Sequence, residues 1–300
     1  MAHVKKRIIR RRNFILAATI VGIVVFGVVA RYLYVTPIAV LQPAGPIAAG
    51  QRELMVVASV LMLLIVVPVF TLAGVFAWRY RESNKKARYA PNWDHNRAFE
   101  VIWWFVPSAL IAVLAVMTWH GTYAYDPYKP LLSNQKQITI QAVALDWRWL
   151  FIYPEQKVAS INYVRMPVNT PIKFEVTSDA PMNSFWIPQL GGQVYAMPGM
   201  GTQLHLMANE QGDFYGSSAN ISGKGFAGMN FVAAATPRYS FDAWVADAQT
   251  KSPLTLEQYA EVAAPTTDRR VYTYSAPAAG LYDTIISKYM TDHTNMEQTE

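Results

Sequence analysis

Two apolar runs, LMVVASVLMLLIVVPVFTLAGVFAW at 54–78 and FEVIWWFVPSALIAVLAVMTW at 99–119, constrain this chain more than any other feature. Each is long enough to cross a hydrocarbon core of about 30 Å as a helix. Neither shows the amphipathic period of a half-solvated helix, so burial in a soluble core is the poorer reading. Pro68 and Pro107 fall inside them, and membrane helices tolerate proline better than soluble ones. Trp78, Trp103, Trp104 and Trp119 stand near their ends, where aromatic belts lie. The basic connection RYRESNKKAR, 79–88, belongs on the cytoplasmic side, which leaves 31–53 and the chain after residue 121 outside.

Composition agrees. Of the 300 residues, 52% are hydrophobic and 15% charged, against about 25% charged in a soluble domain. The length allows about two domains. Net charge is +6, but the cations gather at 5–12 and 79–88, each beside an apolar run. That placement reads as membrane topology and not as a nucleic-acid patch. Another apolar run, NFILAATIVGIVVFGVVA at 13–30, follows KKRIIRRR, and Val28-Val29-Ala30 makes a poor cleavage site. Residues 1–30 are therefore either a removed signal sequence or a retained signal anchor. An extracytoplasmic segment at 31–53, a transmembrane helix at 54–78, a cytoplasmic loop at 79–98 and a second transmembrane helix at 99–120 complete the membrane part.

From about 136 the pattern changes to short β-branched and aromatic runs. QITIQAVALDWRWLFIYPE (137–155), VASINYVRMPV (158–168), PIKFEVTS (171–178), NSFWIP (183–188), TQLHLMAN (202–209) and MNFVAAAT (229–236) are punctuated by Pro, Gly, Asn and Asp. Strands at this spacing predict a Greek-key β sandwich or barrel over 130–236. Beyond Pro237, SFDAWVADAQ (240–249) has helical spacing, with Ser240 as a candidate cap.

Candidate chemistry is sparse. There is no cysteine, which excludes disulfides, thiolate ligands, Fe–S clusters and a Cys nucleophile. The five histidines, His3, His95, His120, His205 and His293, are scattered. His95 and His120 flank one helix and lie about 37 Å apart at its rise per residue, too far to share a metal. GKGFAG at 223–228 matches G-x-G-x-x-G, yet no parallel βαβ pattern surrounds it. Met197, Met200, Met207 and Met229 are neighbours in sequence; core or interface packing is a commoner use for them than Cu(I) binding. Glu100 breaks the apolar pattern at the start of its helix. Spacing alone favours an interfacial carboxylate over a proton-pathway group.

A helical hairpin followed by an outer β domain resembles subunit II of the haem–copper oxidases. LQPAGPIAAGQREL (41–54), FAWRYRESNKKARYAPNWDHN (76–96) and the stretch from MNSFWIPQLGG through FAGMNF (182–231) resemble its quinol-oxidase branch, over nearly the whole chain. The resemblance implies an α+β membrane protein: a transmembrane helical hairpin, an extracytoplasmic cupredoxin-like β sandwich lacking copper ligands, and a C-terminal aromatic-rich helical extension at 237–290. In the cytochrome c oxidases of this superfamily the β domain binds a dinuclear copper centre through two Cys, two His, a Met and a Glu carbonyl. Here Ser218 and Ser222 stand at the Cys positions, Phe226 and Asn183 at the His positions, Asn220 at the Glu position, and Met229 is the one side-chain ligand retained. Neutral hydroxyls do not replace bridging thiolates on soft copper. The resemblance therefore implies no metal or other cofactor in this subunit and no catalytic residue in it. Haems and CuB would reside in a partner, subunit I, which ubiquinol reduces.

Trp147 and Trp149 lie where cytochrome c oxidases carry an aromatic electron-accepting patch, and read here as packing or subunit-contact residues. The resemblance also turns Glu100 toward a proton-pathway entrance. The expected setting is a bacterial inner membrane, multi-pass, with the β domain periplasmic. Expected partners are subunit I, further small membrane subunits and membrane lipid, with no nucleic acid. A cytochrome c oxidase subunit II with an atypical copper site, and a membrane-anchored β-domain assembly factor, are the alternatives.

Overall fold

The computed structural model describes residues 38–87 and 95–296, with isolated positions between 22 and 36 and side chains to 290. The expected signal or anchor at 1–30 thus falls almost wholly outside the described residues. Two long helices come first, α1 (Pro46–Arg79) and α2 (Arg97–Ala124), and both are long and apolar enough to cross a membrane. Pro46 opens α1, where its missing N–H and preset φ cost nothing. Asn96 caps α2 by accepting from the N–H groups of Ala98 and Phe99 at 3.1 and 3.3 Å.

With 34 residues, α1 is about 51 Å long, well beyond the bilayer core. Its surplus lies at the N-terminal end and is docked in the β domain. Ala44 N–H donates to Gln189 O at 2.8 Å, Ala48 N–H to Leu190 O at 3.2 Å, and Asn209 N–H to Ala44 O at 2.8 Å. The two helices approach closely there through small residues. A Cβ on Gly50 would fall 2.1 Å from the Tyr125 hydroxyl, and one on Gly121 2.7 Å from Leu54 Cδ1. Close backbone approach at glycine is how membrane helices gain contact.

The β domain is a sandwich. One sheet has the order β11-β3-β2-β1-β5-β8, from Tyr272–Ser275, Val158–Ile161, Trp149–Tyr153, Ile138–Ala144, Ile172–Ser178 and Thr202–Leu206. The other runs β4-β10-β9-β6-β7, from Tyr163–Pro167, Asn230–Thr236, Gly212–Ser218, Asn183–Trp186 and Val194–Ala196. β1 pairs parallel with β5, and β4 parallel with β10; the other pairings are antiparallel. Between the sheets lie Trp149, Phe151, Phe174, Phe185 and Phe231. Phe185 and Phe231 stack at 5.3 Å, and Trp149 meets Phe185 edge-on at 5.4 Å.

The apolar run 158–168 is not one strand. It breaks at Asn162, in left-handed conformation with φ 55°, and its halves enter different sheets as β3 and β4. Asn tolerates that conformation because its short polar side chain bonds locally, and here its Oδ1 accepts from Trp149 N–H at 3.0 Å.

After β10 come α3 (Arg238–Ala248), α4 (Leu256–Ala263), β11 and α5 (Leu281–Met296). The extension is not purely helical, since β11 adds an edge strand to the first sheet. Nor does Ser240 cap α3: the helix begins after Pro237, which makes no side-chain cap. Pro237 itself supplies the stop and the fixed φ. The extension lays Leu254, Val262, Leu281, Tyr282 and Ile285 on Val143, Leu145, Leu150, Ile152 and Ile161, forming a second core on the outer face of the first sheet.

Candidate functional site

The copper-frame positions gather at one end of the second sheet. Asn183 opens β6 and Ser218 closes β9; these strands pair, with Phe185 opposite Ser218. Asn183 and Ser218 are both buried and are joined directly: Ser218 Oγ donates to Asn183 Oδ1 at 2.7 Å. The amide nitrogen of Asn183 is spent on Pro181 O at 2.7 Å. Asn220 turns its side chain to Met182 O at 3.0 Å, and its carbonyl lies 3.4 Å from Ser218 Oγ. Met229 is 2% exposed, and its carbonyl accepts from Ser218 N–H at 3.1 Å. Four of the six positions are thus brought together by this network.

Ser222 and Phe226 lie on the loop between β9 and β10, which ends in a 3₁₀ turn at Phe226–Gly228. The carbonyl of Ser222 accepts from Trp147 Nε1–H at 3.2 Å. No cysteine or histidine stands at any of the six positions. The donors at hand are hydroxyls, amides and one thioether, a set that does not suit a soft dinuclear copper centre. Among the described residues, no group of three His, Cys, Asp or Glu is placed to hold a metal ion. His205, on β8, is buried, with Nδ1 3.0 Å from Pro127 O. Of the four methionines, Met200 is 52% exposed, whereas Met229 is buried in the sandwich core.

Glu100 lies in the first turn of α2, with Oε1 3.4 Å from His95 Nδ1. It lines an open groove of about 630 Å³ with Arg97, Val101, Trp104, Phe105 and Ser108, along one face of the helix. The carboxylate therefore has an imidazole neighbour on one side and the open groove on the other.

Sequence reasoning missed two residues that hold the C-terminal extension on the β domain. Asp179, with its side chain 3% exposed, accepts from Tyr259 Oη at 2.5 Å, Lys288 Nζ at 2.7 Å and Tyr289 Oη at 2.7 Å. Burial, reinforced by this carboxylate, raises the Tyr259 and Tyr289 hydroxyls above their ordinary range, while the bond to Asp179 raises Lys288. Arg148 is buried beside the end of α4 and donates to Val262 O at 2.5 Å and Ala264 O at 3.4 Å. A cation there meets the helix's unsatisfied carbonyls and the negative end of its dipole. Both act over long sequence separations, which no local pattern signals.

Comparison with known proteins joins these observations. A family model for the periplasmic domain of cytochrome c oxidase subunit II matches residues 112–236, and one for the COX aromatic rich motif matches 248–293. The cytochrome bo(3) ubiquinol oxidase subunit 2 of Pseudomonas putida is 49% identical over 250 residues, covering 83% of this chain and 80% of that one. The ubiquinol oxidase subunit 2 of Acetobacter aceti is 46% identical over 253 residues, with 83% and 82% covered. The crystal structure of the periplasmic domain of cytochrome oxidase subunit II from Bradyrhizobium japonicum is 25% identical, with 39% of this chain and 94% of that one covered at a TM-score of 0.36. Identity at the level of the two curated relatives, along most of both chains, shows that this chain belongs to the cytochrome bo(3) ubiquinol oxidase subunit 2 family.

Proposed function

We propose that this chain is the non-catalytic, copper-free subunit of a proton-translocating ubiquinol oxidase. It assembles with a haem-bearing subunit I and small membrane subunits, and it covers the periplasmic face of subunit I, in a bacterial inner membrane. Haems and CuB belong to subunit I, which ubiquinol reduces from within the membrane and which reduces oxygen to water. The observation that carries the reading is the direct bond between Ser218 and Asn183. Two positions that would face a metal in the copper branch satisfy each other instead, and neither is a soft ligand. Electrons then have no metal relay through this domain. Purified complex should oxidise ubiquinol and fail to oxidise reduced cytochrome c, and the separated chain should contain almost no copper. Stoichiometric copper in the separated chain, or turnover on cytochrome c, would overturn the proposal.

Glu100 is the proposed entrance of a proton path into subunit I. His95 at 3.4 Å provides a second group able to hold a proton, and the groove beside Glu100 gives the partner a face to close. General proton-transfer roles of single carboxylates are typically worth about 10²-fold or more in rate. Glu100→Gln should therefore slow turnover of the assembled complex markedly while leaving its subunit composition intact. Turnover and proton uptake at the unsubstituted rate would reduce Glu100 to an interfacial residue.

A further inference from the structure

Trp147 has φ +66°, in the left-handed region where a bulky residue is strained. It sits in the turn 145–148 that joins β1 to β2, closed by Leu145 N–H donating to Arg148 O at 2.9 Å. A glycine or asparagine would take that conformation readily. The strain is retained where the indole has a specific place to go. Its Nε1–H donates to Ser222 O at 3.2 Å. Its ring lies against Gly225, where a Cβ would fall 2.2 Å from indole Cδ2, and near Gly223, where a Cβ would be 3.5 Å from Cζ2. Gly223 has φ +112°, so the loop uses glycine both to turn and to let the ring approach. Each side of the contact thus departs from ordinary usage in the way the other requires.

We infer that Trp147 is a positioning residue that fixes the loop 219–229, the loop that metal ligation would fix in the copper branch. Ligation would tie Asn183, Ser218, Ser222, Phe226 and Met229 positions through one centre. Here Ser218 and Asn183 bond directly at the base of the loop, and the indole clamps its far side at Ser222 and Gly225. Within the loop, Ala219 N–H donates to Ser184 O at 3.0 Å, Phe226 N–H to Gly223 O at 3.2 Å, Gly228 N–H to Gly225 O at 3.0 Å and Met229 N–H to Phe226 O at 2.9 Å. These amides report whether the loop is held. The inference rests on the reading of the frame as copper-free, which copper content tests separately.

The experiment is hydrogen exchange on the chain within the purified complex. Trp147→Ala should speed exchange of amides in 219–229 by about tenfold or more, since a loop without its clamp opens locally. Peptides from β1 and β5 should keep their protection. Gly225→Ala, whose methyl collides with the ring, should loosen the loop from the other side. In the Trp147→Ala background it should add nothing, because contacting residues are coupled and not additive. Trp147→Phe retains a ring without the N–H and should fall between. Unchanged loop exchange in Trp147→Ala, or a full additive effect of Gly225→Ala on top of it, would sink the inference. Should Trp147→Ala fail to assemble, unchanged loop exchange in both Gly225→Ala and Trp147→Phe would do the same.

Discussion

Asp179 shows how much one carboxylate can organise. It stands just past β5, and its three donors come from α4 and α5, 80 to 110 residues further along the chain. Asp179→Asn keeps the shape but loses the charge and presents an amide to donors. Hydrogen bonds to a charged group contribute about 1.5–3 kcal/mol each, but Lys288 is 59% exposed, so its share is reduced by solvent. The substitution should lower stability by about 2 kcal/mol and free the extension for limited proteolysis, both readable by thermal melting and cleavage mapping. An unchanged melting point would mean that the apolar contacts of the extension suffice. At this scale little was legible beforehand. Ser218, Asn183 and Met229 could be picked out because a known ligand frame numbers them. Asp179 and Arg148 could not, because their partners are set by where remote helices land.

At the scale of elements, the long helices were legible from hydropathy and their ends were not. The apolar run beginning at Leu54 marks the membrane-facing part, but α1 starts at Pro46. The additional turns carry Gln51, Arg52 and Glu53, which no apolar window includes, and they stay helical because they dock in the β domain. Gly50 lies at this junction against Tyr125. Gly50→Ala should overpack it and cost about 1–3 kcal/mol, with Tyr125→Ala restoring most of the loss. Melting of the two single variants and the double variant checks this, and additive losses would refute the contact as its cause. Strand existence was readable from composition. Run 149–153 lacks clean alternation for a reason visible only in the fold: both faces of β2 are covered, Trp149, Phe151 and Tyr153 by the sandwich core and Leu150 and Ile152 by the extension.

For the whole molecule, the aromatic extension acts as a third layer fastened by Asp179 and Arg148, and its attachment should depend on pH. The hydroxyls of Tyr259 and Tyr289 are raised above 10.0 and Lys288 above 10.5. A raised folded value means that this contribution is complete at neutral pH. It is lost as pH climbs past about 10, because the unfolded chain releases protons that the folded chain retains. Tyrosinate absorbance should therefore lag behind that of free tyrosine and rise as the extension detaches, and Asp179→Asn should lessen the lag. A titration matching free tyrosine would show that the layer is already open.

By itself the sequence determined the architecture: two apolar helices, a strand-rich outer domain, and a ligand frame from which the thiolates and imidazoles are missing. The helices and strands follow from hydropathy and period, which act locally, and the ligand frame from the resemblance to the copper-binding branch. Only the tertiary structure decided that Ser218 and Asn183 would satisfy each other, that a strained Trp147 would lie on Gly225, and that Asp179 and Arg148 would hold the extension. Those contacts join segments tens to more than a hundred residues apart, and their partners are selected by the packing of the sheets, not by any pattern along the chain.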